Sequence, residues 1–250
     1  MWSFIVLDLE NKLKLTEFLT FIKTNFNGYD VIYCSSKKKK SSEIKSYVFK
    51  NGCDKEEVLN TVAGKVLGEK VVIIRDVSKY KNILKLTESI KFDNQISCLK
   101  YEDKGIVNFF KNVFSKPTIL LFGQELSNID FSVVAYGQVA TRVIKTTSNA
   151  SALTRTNNFV GTKLILLEDG EKYSFKYNKT KAIFKFIIPI VIAIVAIVIR
   201  LLIKQKMLAI VTIGFIAFAI ICLIMSFIYG LDWFIKSQIG DNVNGKAKYE

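Results

Sequence analysis

Short β-branched runs alternate with amphipathic stripes up to about residue 180, and two long apolar runs follow. Ser3 to Leu7 reads as a buried strand, and Leu13, Leu15, Phe18, Leu19 and Ile22 share one helical face that ends before Asn27-Gly28. Tyr29 to Tyr33 gives a second strand. A loop over Cys34 to Lys40 leads into a short helix at Ser42 to Phe49, and Asp54 followed three residues later by Glu57 marks a helix start that runs towards Gly68. Lys70 to Ile74 is a third strand, Val77 to Ile90 a helix with Ile83, Leu84, Leu86 and Ile90 inward, and Ile96 to Tyr101 a fourth strand. Later, Ile106 to Phe114 reads as helix, Thr118 to Phe122 is ambiguous, Phe131 to Ala135 is a strand and Gln138 to Lys145 a helix. Thr162 to Leu167 and Tyr173 to Tyr177 flank Glu168-Asp169-Gly170-Glu171 as a hairpin. The order is mostly strand, helix, strand, which predicts an α/β, Rossmann-like layer fold over residues 1–180.

The two apolar runs change the class of protein. Phe186 to Ile199 has no polar residue, Leu201 to Ile203 continue past Arg200, and Met207 to Tyr229 is uncharged throughout. About 20 residues at 1.5 Å each cross a hydrocarbon core of about 30 Å. The pattern therefore predicts two transmembrane helices, about 184–203 and 207–229 within 183–235, joined as a hairpin by a tip carrying Arg200, Lys204 and Lys206. A tail over 236–250 follows. Lys172, Lys176, Lys179, Lys181 and Lys185 precede the first span, and Lys236, Lys246 and Lys248 follow the second. The positive-inside rule then places both termini and the front domain in the cytoplasm, with the chain as a two-span protein of the cell membrane. Met1 to Leu7 lacks a basic leader, and Asp8 and Glu10 interrupt the apolar run before a signal core forms.

Composition narrows the chemistry. The 250 residues hold 36 Lys+Arg against 22 Asp+Glu, a net charge of +14, and no histidine. That removes the commonest general base and metal ligand, and with them every Ser-His-Asp or Cys-His arrangement. Cys34, Cys53, Cys98 and Cys222 form no Cys-x-x-Cys pair and read as buried thiols. The lysines are scattered and no recognised nucleic-acid module occurs, so nucleic acid is not an expected partner. Lys37 to Lys40 with Ser41-Ser42 reads as a solvated loop or as a contact for phosphates. Asp76 can cap the helix after its strand or hold a metal, and Asp130 can orient an acceptor or simply begin a strand.

Several stretches resemble family 2 glycosyltransferases of the GT-A fold, closest to the polyprenyl-phosphate, dolichol-phosphate-mannose synthase branch. They are Asn51-Gly52 with Val58 through Asp76, Asn108-Phe109-Phe110-Lys111, Asp130-Phe131, and Arg155 through Lys163. The resemblance implies a GT-A-like domain whose Asp76 is the first acid of an Asp-x-Asp motif, with Mg²⁺ or Mn²⁺ as cofactor and Asp76 as its ligand. It implies a nucleotide-sugar donor held near Asn11, Ser35, Ser36 and Asp76, with Asp76 and Asp130 as the catalytic acids. Lys176, Lys179, Lys181, Lys185 and Arg200 would meet a lipid phosphate at the membrane rim. The motifs are incomplete. Pro-x-x-Asn-Glu reads Asp8-Leu9-Glu10-Asn11-Lys12, the two acids after the second strand read Ser35-Ser36, Asp-x-Asp reads Asp76-Val77-Ser78, and Asp-Phe-Arg reads Asp130-Phe131-Ser132. The expectation is a membrane-anchored pseudoenzyme of the cell envelope, a binding or partner module that joins another membrane protein or a second copy of itself. The alternative is an active transferase moving a sugar from a nucleotide-sugar to polyprenyl phosphate. In both readings the lipid bilayer is a partner.

Overall fold

A computed structural model describes residues 1–39, 41–101, 113–114, 116–117, 129–147, 161–171, 173, 177–202, 209–239 and 246–249. The chain divides into two units, Met1–Ser174 with Asn242–Glu250, and Phe175–Asp241.

The first unit is built on a seven-stranded sheet in the order β3-β2-β1-β4-β6-β5-β7. Its strands are β1 (Trp2–Asp8), β2 (Tyr29–Ser35), β3 (Lys45–Val48), β4 (Lys70–Ile74), β5 (Gln95–Lys100), β6 (Ile129–Tyr136) and β7 (Lys163–Leu167). All neighbours run parallel except β6, which is antiparallel to both β4 and β5. Strands buried on both faces need apolar residues throughout, which is why β4 reads Val71-Val72-Ile73-Ile74 with no alternation.

Among the described residues four helices cover this sheet, α1 (Leu15–Asn25), α2 (Lys55–Val62), α3 (Ile83–Ser89) and α4 (Gln138–Thr147). Phe18, Leu19 and Ile22 of α1 and Ile83 and Leu86 of α3 join Phe4, Val6, Val31, Tyr33, Val72 and Ile74 in one core cluster. Neither α2 nor α4 contributes to that cluster; α2 packs on β1, and α4 on β4 and β5. Right-handed crossovers demand this. The chain moves from β1 to β2 on one side of the sheet and from β3 back past β1 to β4 on the other. Gly68, just before β4, is fixed by space, since a Cβ there would lie 2.8 Å from the Ser3 amide nitrogen and 2.9 Å from the Met1 carbonyl.

Three expectations change. Ser42 to Phe49 holds no helix but the edge strand β3, paired in parallel with Ile32–Ser35. Its Ser, Tyr and Val suit an extended edge, and pairing with β2 overrides the weak helical reading. The helix from Val77 to Ile90 begins as a 3₁₀ turn over Val77–Asn82 and becomes α-helical only at Ile83. The strand at Phe131 to Ala135 extends to Ile129–Tyr136. Most of Ile106 to Phe114, all of Thr118 to Phe122, the matched stretches at 108–111 and 155–160, and the second hairpin arm at 174–176 lie outside the described residues. The first arm, β7, pairs in parallel with β5.

Residues 246–249 also belong to the first unit. Tyr249 bridges Phe49 antiparallel, Thr61 Oγ1 donates to the Ala247 carbonyl at 2.9 Å, and the Ala247 amide donates to the Glu57 carbonyl at 3.2 Å. Lys65 Nζ lies 4.2 Å from the Tyr47 ring centre and 4.0 Å from that of Tyr249. The tail thus covers the exposed margin of the sheet beside β3, which unpaired edges require.

The second unit is a pair of helices, α5 (Lys179–Leu202) and α6 (Ala209–Ile239). At 1.5 Å per residue they are about 36 Å and about 46 Å long. Both are long and apolar enough to cross a membrane, with mean hydropathies of 3.0 and 2.8. Their large side chains face outward, among them Ile188, Val191, Ile194, Phe218 and Ile221. A soluble core helix buries such residues, so the outward display fits a lipid-facing surface. Small residues make the seam, Ala193 against Ala219 and Cys222, and Ser226 Oγ donates to the Phe186 carbonyl at 2.9 Å in the turn before Pro189.

Candidate functional site

The connections from β1 and β4 leave in opposite directions, so a crevice opens at the carboxyl ends of these two neighbours, where α/β sheets bind their ligands. Asp8 ends β1 and Asp76 follows β4. Two cavities meet there, sharing Lys12, Asp76 and Val77. One, about 200 Å³, is also lined by Leu7, Asp8, Glu10, Lys55 and Tyr173; the other, about 460 Å³, extends along Leu13, Lys14, Glu17, Ser78 and Tyr80.

Asp8 shapes the wall. Its buried carboxylate accepts from the amides of Lys12 at 2.7 Å and Leu13 at 3.0 Å, and from the Tyr33 hydroxyl. Burial, with Asp8 alongside, pushes the Tyr33 hydroxyl well above its ordinary value. The turn so formed puts Asn11 at a φ of 53°, a conformation asparagine tolerates better than most residues. Asn11 Nδ2 then donates to Ser36 Oγ at 2.6 Å, and Ser35 Oγ donates to the Lys37 carbonyl at 2.6 Å. Three of the four residues expected to hold a donor, Asn11, Ser35 and Ser36, therefore fasten the loops after β1 and β2, and none of these three lines either cavity.

Asp76 does line both cavities, and it also caps. Its Oδ1 accepts from the Ser78 amide at 3.0 Å and the Ser78 hydroxyl at 2.7 Å. Burial raises its carboxyl, but these bonds, with Lys79 and Lys55 nearby, outweigh it and hold the group below the usual carboxylate range. The preceding residue points the other way. Arg75 is fully buried and grips Glu56 through Nε at 2.6 Å and Nη2 at 3.2 Å, while Nη1 donates to the Phe131 carbonyl at 3.3 Å.

Two cations face the crevice. Lys12 pairs with Glu10 at its exposed mouth. Lys55 is half-buried, the first residue of α2, and donates to the Arg75 carbonyl at 2.5 Å. Among the described residues it makes no ion pair within 4.0 Å. Burial lowers its pKa against the pull of Glu10, Asp76 and Asp8. Neither lysine carries a sequence signal as a site residue: Lys55 stands far from Asp76 in the chain, and only the sheet order brings them together.

Asp130 lies elsewhere. Its carboxylate is buried, Oδ1 accepts from the Ser132 amide at 2.8 Å, and Oδ2 accepts from the Glu171 amide at 2.9 Å with Lys79 Nζ at 3.6 Å. It lines neither cavity and fastens the start of β6 to the turn after β7.

A divalent cation needs several oxygen ligands and usually more than one carboxylate. Among the described residues no group of three or more His, Cys, Asp or Glu is placed to hold a metal ion. Asp76 spends Oδ1 on its cap, Asp8 is met by three donors, Glu10 by Lys12, and an ammonium stands in the crevice. This donor set does not fit Mg²⁺ or Mn²⁺.

In the second unit Lys181, Lys185 and Lys236 converge with Asn178, Ala182 and Asp232 around a cavity of about 320 Å³. Lys236 pairs with Asp232 at 2.9 Å, and Lys185 lies 5.9 Å from the Tyr229 ring centre. Lys179 stands over Tyr177 at 5.9 Å. Arg200, expected at the lipid-phosphate rim, donates to Thr212 Oγ1 at 2.9 Å and 3.2 Å. Lys176 lies outside the described residues.

No protein-family model and no curated protein matches the chain. Among solved structures, the bifunctional IspDF of Campylobacter jejuni is similar over 72% of this chain and 52% of its own, at 16% identity and a TM-score of 0.41. The chain spans about half the length of that protein.

Proposed function

We propose that this chain is a membrane-anchored, glycosyltransferase-like binding module: a GT-A-like domain that retains a ligand crevice, has lost the means of catalysing transfer, and acts with a partner in the membrane. The observation that carries this reading is the commitment of Asp76 to its own cap, in a switch-point crevice whose other acids are already satisfied. The hairpin anchors the module in a lipid bilayer, with the front unit and tail in the cytoplasm. The docking of residues 246–249 on the front unit supports a return of the chain to the side it left. The cavity of Lys181, Lys185 and Lys236 supports a lipid phosphate as a second ligand.

Calorimetric titration of the detergent-solubilised chain with UDP, GDP and UDP-sugars, with and without Mn²⁺, tests this. Nucleotide binding without sugar release is the expected result. The absence of any nucleotide binding removes a nucleotide as the ligand of the crevice.

One observation favours a second reading, an active transferase to polyprenyl phosphate: Asp76 is held ionised where donor and acceptor would meet. Sugar transfer abolished by Asp76→Ala would establish it, and an unchanged rate would remove Asp76 from the chemistry.

A further inference from the structure

We propose that Lys55, with Lys12, takes the place of a divalent metal in the crevice and binds the phosphate or diphosphate group of its ligand directly. The inference rests on the crevice being a ligand site and names the chemistry of that ligand.

Lys55 is the half-buried cation of the smaller cavity, its Nζ anchored at 2.5 Å by the Arg75 carbonyl and so fixed at the carboxyl end of β4. An ammonium carries three donors. One is spent on that carbonyl, and no carboxylate among the described residues closes on it within 4.0 Å. A charge partly withdrawn from water and left without an ion pair favours an anion in the adjoining space.

The replacement within the motif points the same way. Two carboxylates around a divalent ion are neutral overall. Where an Asp-x-Asp motif would supply the second carboxylate, this chain has Ser78, and the remaining Asp76 with the Lys55 ammonium is again neutral. Of the other acids, Asp8 accepts from the Tyr33 hydroxyl and two amides, which fix its oxygens in the wall without cancelling its charge, and Glu10 pairs with Lys12. Lys12 sits exposed at the mouth on a solvated pair, so exchanging Glu10 for a phosphate oxygen costs little. A lysine binds phosphate as a compact point charge, which suits a diphosphate that can turn between two such cations.

The whole chain in detergent is titrated with inorganic pyrophosphate, in EDTA and in Mg²⁺, as wild type, Lys55→Met, Lys55→Arg and Lys12→Met. Pyrophosphate should bind in EDTA and gain nothing from Mg²⁺. Lys55→Met should weaken it at least about tenfold, and Lys55→Arg should restore most of the loss. Lys12→Met, on an exposed side chain that cannot unfold the domain, should weaken it several-fold. Displacement of pyrophosphate by UDP assigns the phosphate to a nucleotide, and displacement by farnesyl phosphate assigns it to a lipid. Binding that requires Mg²⁺, or that survives both methionine variants, overturns the proposal. UDP binding without pyrophosphate binding overturns it while leaving the crevice a ligand site; no binding of either removes both.

Discussion

Arg75 and Glu56 close a two-point ion pair inside the front unit, at 2.6 Å and 3.2 Å, one residue before the chain presents Asp76 to the crevice. Burial alone would lower the guanidinium pKa, but Glu56 more than offsets it and leaves the group raised. The pair fixes where α2 lies against the end of β4, and α2 begins with Lys55. Breaking one half of a buried pair costs about 3–5 kcal/mol. Glu56→Ala should therefore destabilise the front unit by that order in urea unfolding, whereas Glu56→Leu with Arg75→Met should recover most of the loss.

Asp76 contributes a cap whose removal costs about 0.5–2 kcal/mol. Asp76→Ala should lower stability by that amount and Asp76→Asn by less. Because the folded carboxyl titrates below its ordinary value, its charge-dependent contribution is present above pH 3.8 and is lost as pH falls through the folded value. The acid limb of unfolding should be shallower in Asp76→Asn than in wild type; coincident limbs would contradict this.

Lys55 works in the opposite direction. Its folded pKa lies below the ordinary 10.5, so the unfolded chain binds more protons between the two values and stability rises with pH across that window. Pyrophosphate binding should fall over the same window as the ammonium is lost. Glu10 and Asp76, held below the usual carboxylate range, and Arg75, held above its ordinary value, keep their charge through that range, and Asp8 also faces the ammonium. Lys55→Arg should move the loss of binding to higher pH, as titrations from neutral pH upwards would record.

Tyr249 and Lys65 hold the tail. A cation over a ring contributes about 0.5–1 kcal/mol at exposed sites. Tyr249→Ala should speed hydrogen exchange at Tyr47 to Phe49 without changing exchange in β4; equal rates at both would mean that the tail protects nothing.

A tag-accessible residue placed at 246–249 and one in the tip between α5 and α6 should be labelled from opposite sides of sealed vesicles. Labelling of both from one side would contradict two spans.

The layout was legible because buried parallel strands are nearly all apolar: Val71 to Ile74 and Ile5 to Leu7 could be nothing else. The paired apolar runs were equally plain. Lys45 to Val48 reads as helix in the sequence because an edge strand pairs on one side only and carries lysine and serine as a surface helix does. At the site, Asp76 was visible as an acid after a strand. Lys55 and Lys12 were not, since nothing local distinguishes a lysine facing a crevice from one facing water. Asn11, Ser35 and Ser36, which the resemblance implies as donor-binding, make hydrogen bonds to one another and to the backbone.

The pairing of Tyr249 with Phe49 also sets an order of events during synthesis. The strand beside Phe49 leaves the ribosome before either apolar helix, and its covering residues leave after both. This margin of the sheet is therefore covered last, only after both apolar helices have been synthesised. A chain that ends before residue 246 would keep that strand edge open, a template for pairing with another chain.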